Sequence, residues 1–319
     1  MSVLHQEISV IVDNPFPRKA AADHFEPIPV RRVDRKKRQA IKWSIRVRAQ
    51  SNSTLTNMEY KSSKMPAVIS LKSIVKRMLG SSLSRSLIAL RVKYRNKWWD
   101  RQMAGKSPRE AFSLIYERHM WGRNESEDFF SGSGSHEEEI SGSYVAAVRQ
   151  FLVNLPSKPD AVDLGCGDFN VGKQIRDLCN AYVACDVVPA LIERNRKVFS
   201  EYDVDFRYLD ITEDPLPDGE VIFVRQVLQH LTNEQISRFV RKLGNQKFLV
   251  LTEHLPFHEN FVPNIDKPMG PGIRLGNDAA ASGVVLTSPP FNLCAKSQRT
   301  ICEVPKWGGV IRTTVYELN

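Results

Sequence analysis

The sequence predicts an α/β fold in which a mostly parallel sheet carries helices on both faces and ends in an antiparallel hairpin. Three observations predict it. Apolar strand-like runs alternate with stretches of helical period from residue 160 to 254, the pattern of repeated βα units. The first of those runs leads into a glycine-bearing turn, AVDLGCGDFNVG at 161–172, at the place where open α/β sheets bind ligands. Near the C-terminus, RTICEVP and GVIRTTVYEL flank KWGG, which reads as two paired strands closing a sheet edge.

The front of the chain stands apart. Of the formal charge of +9, residues 1–100 hold 21 Lys/Arg against 7 Asp/Glu, while the remainder holds 24 against 29. Residues 1–64, with RRVDRKKRQAIKWSIRVR at 31–48, have few apolar anchors at any sustained period and read as a basic, disordered extension. Residues 65–109 read as a basic amphipathic helical segment, with Val68, Leu71, Val75, Met78 and Leu79 on one side and Lys72, Lys76 and Arg77 on the other. Such a segment docks on a core or lies on an anionic surface, and the 31–48 cluster is a candidate contact for an anionic membrane or a nucleic acid. The third region, 110–319, reads as the folded domain.

Within it, AFSLIYERHMWG (111–122) predicts a helix, followed by a loop containing SGSGS. Ser135 to Glu138 forms an S-x-x-E capping box. Ile140, Tyr144, Val148, Phe151, Leu152 and Leu155 follow at helical spacing, although Ser141-Gly142-Ser143 weakens the first turn. Strands are expected at 161–165, 181–187, 204–211, 220–225 and 247–254. Helices are expected at GKQIRDLC after the first strand, at PALIERNRKVF with Pro189 in the first turn, and at NEQISRFVRKL behind a Thr232/Gln235 capping box. Residues 255–299 are rich in Pro, Gly and Asn without a period, and are expected to form a long loop or lid over an acceptor pocket.

The composition, 42% hydrophobic and 25% charged, is that of a globular chain with a sizeable core. Five cysteines form no CxxC pair and no Cys/His ligand spacing, so neither a disulfide framework nor a metal site is indicated. Without a run of 18 apolar residues or a basic-then-apolar leader, a cytoplasmic location is expected.

The turn at 161–172 discriminates between ligands. A dinucleotide turn has G-x-G-x-x-G facing a pyrophosphate. Here Gly165 and Gly167 are present, the third position is Asn170, and Asp163 and Asp168 flank the turn. Carboxylates repel a pyrophosphate and attract a cationic ligand.

DLGCGDF resembles the first motif of class I S-adenosylmethionine-dependent methyltransferases, whose cofactor carries an ammonium and a sulfonium and no phosphate. Three further segments agree in order and spacing: Asp186 in ACDVVP, Asp210 and Ile211 in FRYLDIT, and VRQVLQHL at 224–231. The upstream W-x-SGSGS pattern is similar to a group of uncharacterised bacterial methyltransferases, from which Val171 departs where that group carries an aromatic. The resemblance covers residues 110–319 and implies a Rossmann-like seven-stranded sheet, S-adenosylmethionine as cofactor and a small-molecule acceptor.

The resemblance also implies roles. Asp163 lies near the cofactor's ammonium, and Gly165, Cys166 and Gly167 let backbone approach it, beside Asp168. Asp186 with Val187 takes the ribose hydroxyls, Asp210 with Ile211 the adenine, and Arg225 stands at the methyl end. For catalysis the candidates are His230 as a general base, Arg225 as partner of a substrate carboxylate or of a nearby acid, and Gln226. Glu253 and His254, expected on one side of the strand that they end, are secondary candidates. Trp121 and the SGSGS loop are expected to lid the cofactor. Two other readings stand beside this one: a nicotinamide-dependent oxidoreductase, and an inactive relative that binds nucleic acid or membrane through its basic front.

Overall fold

The computed structural model describes residue 94 and residues 98–123, 128–258, 260–275 and 281–318, all within the compact unit Ser70–Asn319. The expected 1–64 extension, the 31–48 cluster and most of the 65–109 segment lie outside the described residues.

Seven strands form one sheet in the order β3-β2-β1-β4-β5-β7-β6. They are β1 (Ala161–Leu164), β2 (Tyr182–Asp186), β3 (Asp205–Tyr208), β4 (Val221–Arg225), β5 (Phe248–Pro256), β6 (Ser297–Lys306) and β7 (Gly309–Glu317). β1 to β5 run parallel, and β7 pairs antiparallel with both β5 and β6, so the expected hairpin closes the sheet with β6 outermost. The central strands are mostly apolar, as strands covered on both faces are, and their charged residues, Asp163, Asp186 and Arg225 among them, lie in or at the ends of those runs. Val162, Leu164, Ile222, Val224, Leu249 and Leu251 pack into one core layer, and Ala161, Phe223, Val250 and Val315 into the other. Each fully buried Val, Leu, Ile or Phe contributes roughly 1.5–3 kcal/mol.

Helix α1 (Pro108–Glu117) begins earlier than its apolar run because Ser107 caps it. The Ser107 side chain accepts from Glu110 N while the Glu110 side chain accepts from Ser107 N, with Pro108 in the first turn. One helical turn, α2 (Ser133–His136), precedes α3 (Glu138–Val153). The capping box expected at Ser135–Glu138 does not form. Ser135 Oγ is turned to Arg225 instead, and Glu137 stands at the α3 N-cap without a capping bond, its carboxylate paired with Lys306. The Ser141-Gly142-Ser143 stretch does not delay α3, since Ser141 and Ser143 return their hydroxyls to the carbonyls of Glu137 and Glu139.

After β1 the expected helix is replaced by two 3-10 turns, Gly172–Gln174 and Arg176–Leu178. The tighter turns are held by the Arg176 guanidinium, which donates to the carbonyls of Cys179, Tyr202 and Asp203. Helices α4 (Pro189–Val198) and α5 (Asn233–Val240) form as expected, with Pro189 at the start of α4 and the full Thr232/Gln235 capping box on α5. Strand order reverses direction between β2-β1 and β1-β4, which opens a crevice at the carboxyl ends of β1 and β4.

Candidate functional site

A cleft of about 400 Å³ occupies that crevice. β1 delivers the glycine turn to its floor. Gly165 and Gly167 have φ of 78° and 57°, a backbone region open to glycine at no steric cost. A Cβ on Gly165 would stand 2.4 Å from Val227 Cγ2, and one on Gly167 2.4 Å from Ser131 Oγ. The backbone N–H groups of Gly165 and Cys166 both donate to Cys185 O, at 2.8 and 2.9 Å. Buried Asn195 of α4 donates to Gly167 O at 2.8 Å. The turn is therefore held rigidly with its concave side open to the cleft.

Four carboxylates line this half, at Asp163, Asp168, Asp186 and Asp210. Asp163, in the middle of β1, accepts from Tyr182 OH at 3.1 Å. Burial pushes its pKa up to about 7, reinforced by the charge of Asp186 and opposed by the Tyr182 bond and the Arg225 charge. Asp186 ends β2 and accepts from Val188 N and Gly167 N, each at 3.1 Å. Burial outweighs those bonds and raises its pKa to about 6. Asp210 accepts from Thr212 N and Oγ1 through one oxygen. Val187, Leu209 and Ile211 form an apolar slot between Asp186 and Asp210.

Asp168 is engaged differently from its sequence reading. Its carboxylate lies 2.6 Å from His136 Nε2 and accepts from Ser131 N at 2.8 Å and Asn170 N at 3.2 Å. Burial raises its pKa, but the His136 hydrogen bond and charge and the backbone donors outweigh this and hold it below the usual carboxylate range. Its backbone N–H donates to Ser131 Oγ, which also meets Tyr116 OH at 2.9 Å. Asp168 thus fastens the SGSGS loop over the glycine turn, and Asn170 adds a second tie to Ser135 O.

Arg225, at the end of β4, closes the same loop from the opposite side. Its fork donates to Gly134 O and Ser135 Oγ, and its guanidinium lies 5.0 Å over the Tyr144 ring. Its geometric partners are thus loop oxygens and an aromatic face. Next to it, Gln226 has φ of 55°, donates its backbone N–H to Thr252 O at 2.7 Å, and sets its side chain against Gly134. Strain of this kind persists where surrounding structure over-determines it.

His230 closes the 3-10 turn Leu228–His230. Its Nδ1 lies 3.2 Å from Gly270 O, and since a carbonyl only accepts, Nδ1 carries the proton and Nε2 presents a lone pair. Burial pushes its pKa down to about 3, helped by the nearby Lys267 charge. The imidazole is neutral at physiological pH.

Glu253 and His254 do not share a face. Successive strand residues point to opposite sides of a sheet: His254 lines the cleft and reaches Lys306 O at 3.0 Å, whereas Glu253 points to the opposite core. Both Glu253 oxygens are buried, with the backbone N–H groups of Leu228 and Gln229 as their nearby donors. Burial pushes the group up to about 8, against the opposing charge of Arg274 and those donors. Glu253 is a protonated core acid at neutral pH.

Sequence reasoning missed His136, Ser131, Tyr116 and Tyr182. Tyr182 sits one residue inside a strand that was already read, and the two-residue alternation from Ala184 and Asp186 places it on a common face with them. His136 carries no local signal.

Residues 161–245 match the family model described as a methyltransferase domain. The matched residues span β1 to β4 and α5 and include the glycine turn, and the seven strands around them form a Rossmann-like mixed sheet. No curated protein matches the chain. Among solved structures, the chain is similar to YcgJ from Bacillus subtilis, with 14% identity over 39% of this chain and 53% of that one, TM-score 0.33. It thus spans about half of that protein's length. It is also similar to human N-acetylserotonin methyltransferase in complex with SAM, with 17% identity over 67% and 60% of the chains, TM-score 0.44. A third is the N-methyltransferase NodS from Bradyrhizobium japonicum WM9 in complex with S-adenosyl-L-homocysteine, with 13% identity over 66% and 100%, TM-score 0.44. Among the described residues no group of three or more His, Cys, Asp or Glu could hold a metal ion, and no helix is long and apolar enough to cross a membrane.

Proposed function

We propose that this chain transfers a methyl group from S-adenosylmethionine to a small-molecule acceptor in the cleft above β1 and β4. The observation that carries the reading is the paired set of buried acids, Asp163 and Asp186, whose pKa values burial lifts to about 7 and 6. A cationic ligand relieves that cost, and an anionic one increases it. The glycine cradle, which a Cβ would fill, and the apolar slot of Val187, Leu209 and Ile211 fit an ammonium-bearing chain joined to a flat nucleoside.

When bound, S-adenosylmethionine supplies a sulfonium-linked methyl carbon to which an acceptor lone pair bonds as the carbon–sulfur bond breaks, leaving a neutral thioether. The protein's part is binding, orientation and exclusion of water. Asp163, at the floor of the glycine turn, attracts an ammonium. Gly165, Cys166 and Gly167 admit the ligand close to the backbone. The unused oxygen of Asp210 and both oxygens of Asp186 keep lone pairs for an amine and a diol. The loop 131–136, fastened by Asp168 and Arg225, roofs the turn. Arg225 and Gln226 act here as positioning residues, and His230 as a neutral hydrogen-bonding wall. The test is release of S-adenosylhomocysteine from S-adenosylmethionine when the purified protein meets fractions of a cell metabolite extract. Fraction-dependent release supports the reading; no release in any fraction, with cofactor shown to bind, argues against turnover.

A further inference from the structure

The two halves of the cleft differ in charge. All four acids lie on the β1-β2-β3 side. The other half is walled by Phe112, Tyr116, Trp121 and His230, and these four rings pack on one another. Trp121 stands 6.1 Å from Phe112, 5.3 Å from Tyr116 and 5.1 Å from His230. Trp121 Nε1 donates to Pro271 O at 3.2 Å, which fixes the indole plane, and Ile273 extends the same apolar lining. The wall is preformed, so binding a flat ligand against it costs little ordering of side chains.

Among the described residues that line the cleft, Arg225 is the one Lys or Arg, and its fork is engaged by Gly134 and Ser135. Lys267 and Arg274 lie behind His230 and donate to the carbonyls of Pro268, Ile265 and Leu231. Among the described residues, an acceptor carboxylate or phosphate brought against this wall meets no cation beyond Arg225, whose two terminal nitrogens are already engaged, and burying a charge with so little compensation is unfavourable. The wall also carries a hydrogen-bond acceptor, the lone pair on His230 Nε2, which the Gln229 amide meets only at a long 3.4 Å.

Resting on the methyl-transfer reading, we infer that the acceptor is a planar, uncharged aromatic molecule bearing an O–H or N–H. Its ring lies against the Phe112–Trp121–His230 wall and its donor faces His230 Nε2. Offset or edge-to-face ring contacts add roughly 0.5–1.5 kcal/mol beyond area burial, which favours an aromatic over an aliphatic ring of the same size.

The experiment titrates the full chain, saturated with S-adenosylhomocysteine, with three probes by calorimetry: 2-naphthol, 6-hydroxy-2-naphthoate and cyclohexanol. The expected result is that 2-naphthol binds at least about tenfold tighter than either of the others, and that Trp121→Ala, titrated as protein shown to hold S-adenosylhomocysteine, loses about tenfold of that affinity. Should Trp121→Ala fail to fold, Ile273→Lys, at a partly exposed lining position, supplies the missing cation and is expected to improve 6-hydroxy-2-naphthoate binding. Equal or tighter binding of the carboxylate or of cyclohexanol by the wild type overturns the inference, as does no probe binding to protein that holds S-adenosylhomocysteine. Failure of S-adenosylhomocysteine itself to bind overturns the methyl-transfer reading instead, so the two failures are distinguishable.

Discussion

His136 Nε2 lies 2.6 Å from Asp168 Oδ2, with the two side chains 17% and 2% exposed, and so joins the SGSGS loop to the glycine turn across 32 residues of sequence. This contact makes the loop part of the cleft wall. It also gives the loop's position an energetic owner that can be removed.

Replacing His136 by alanine leaves the Ser131 and Asn170 bonds to Asp168 but removes its charge-assisted partner, an interaction of roughly 1.5–3 kcal/mol. We expect S-adenosylhomocysteine affinity to fall by about tenfold and cleavage within 128–137 to accelerate in limited proteolysis. Saturating cofactor is expected to protect that stretch in the wild type. Equal protease sensitivity with and without cofactor would count against a roofing loop.

Cofactor affinity is expected to depend on pH through Asp163 and Asp186. With pKa values of about 7 and 6 in the ligand-free protein, both are ionised above pH 7 and take up protons below it. A cationic ligand prefers the ionised forms. Affinity is therefore expected to be highest above pH 7 and to fall as pH drops through the range 7 to 6, with protons released on binding. Calorimetry in buffers of different ionisation enthalpy measures that release.

The same raised pKa has the opposite consequence for stability. The unfolded chain ionises Asp163 near its ordinary 3.8 while the folded chain does so at about 7. The folded state thus binds more protons, and the stability of the ligand-free protein falls as pH rises from about 4 to 7. Asp163→Asn removes this penalty and keeps an acceptor for Tyr182. We expect it to raise the melting temperature by at least about 2 °C at pH 7.5, to change it little at pH 4, and to weaken cofactor binding. A lower melting temperature at pH 7.5 would contradict the assignment.

Gly165 tests the cradle itself. Alanine there must adopt φ of 78° and place its Cβ 2.4 Å from Val227 Cγ2. A left-handed conformation costs roughly 1–2 kcal/mol, and crowding of a packed site roughly 1–3 kcal/mol more. Urea unfolding is expected to report a loss in that range, with cofactor affinity reduced as the turn shifts.

Much of this fold is legible in sequence for a definite reason. A strand buried on both faces is a continuous apolar run, so β1, β2, β4 and β5 stand out, and Asp163 and Asp186 interrupt or end two of those runs. Asp210 follows the mostly exposed β3 and is legible only through the motif resemblance, and the structure brings all three into one cleft. What is not legible is what each polar group meets. Arg225 reads as a partner for a substrate or an acid, yet its fork finds Gly134 and Ser135, 91 and 90 residues away. The helix expected after β1 gives way to two 3-10 turns, and the Arg176 bonds to Cys179, Tyr202 and Asp203 that hold them carry no local signal. In the long segment after β5, Asn264 accepts from Val285 N and donates to the carbonyls of Val285 and Pro289. With Ser282, which accepts from Ile265 N and donates to Val262 O, and Arg274, which donates to Ile265 O and Leu231 O, it orders a stretch that has no period, because the order comes from single side chains and not from a repeat.

The most direct test of the account is a calorimetric titration of the full chain with S-adenosylhomocysteine and, separately, with NAD. The account predicts single-site binding of S-adenosylhomocysteine that Asp186→Ala weakens by about tenfold or more, and no binding of NAD. Binding of NAD with none of S-adenosylhomocysteine would contradict it.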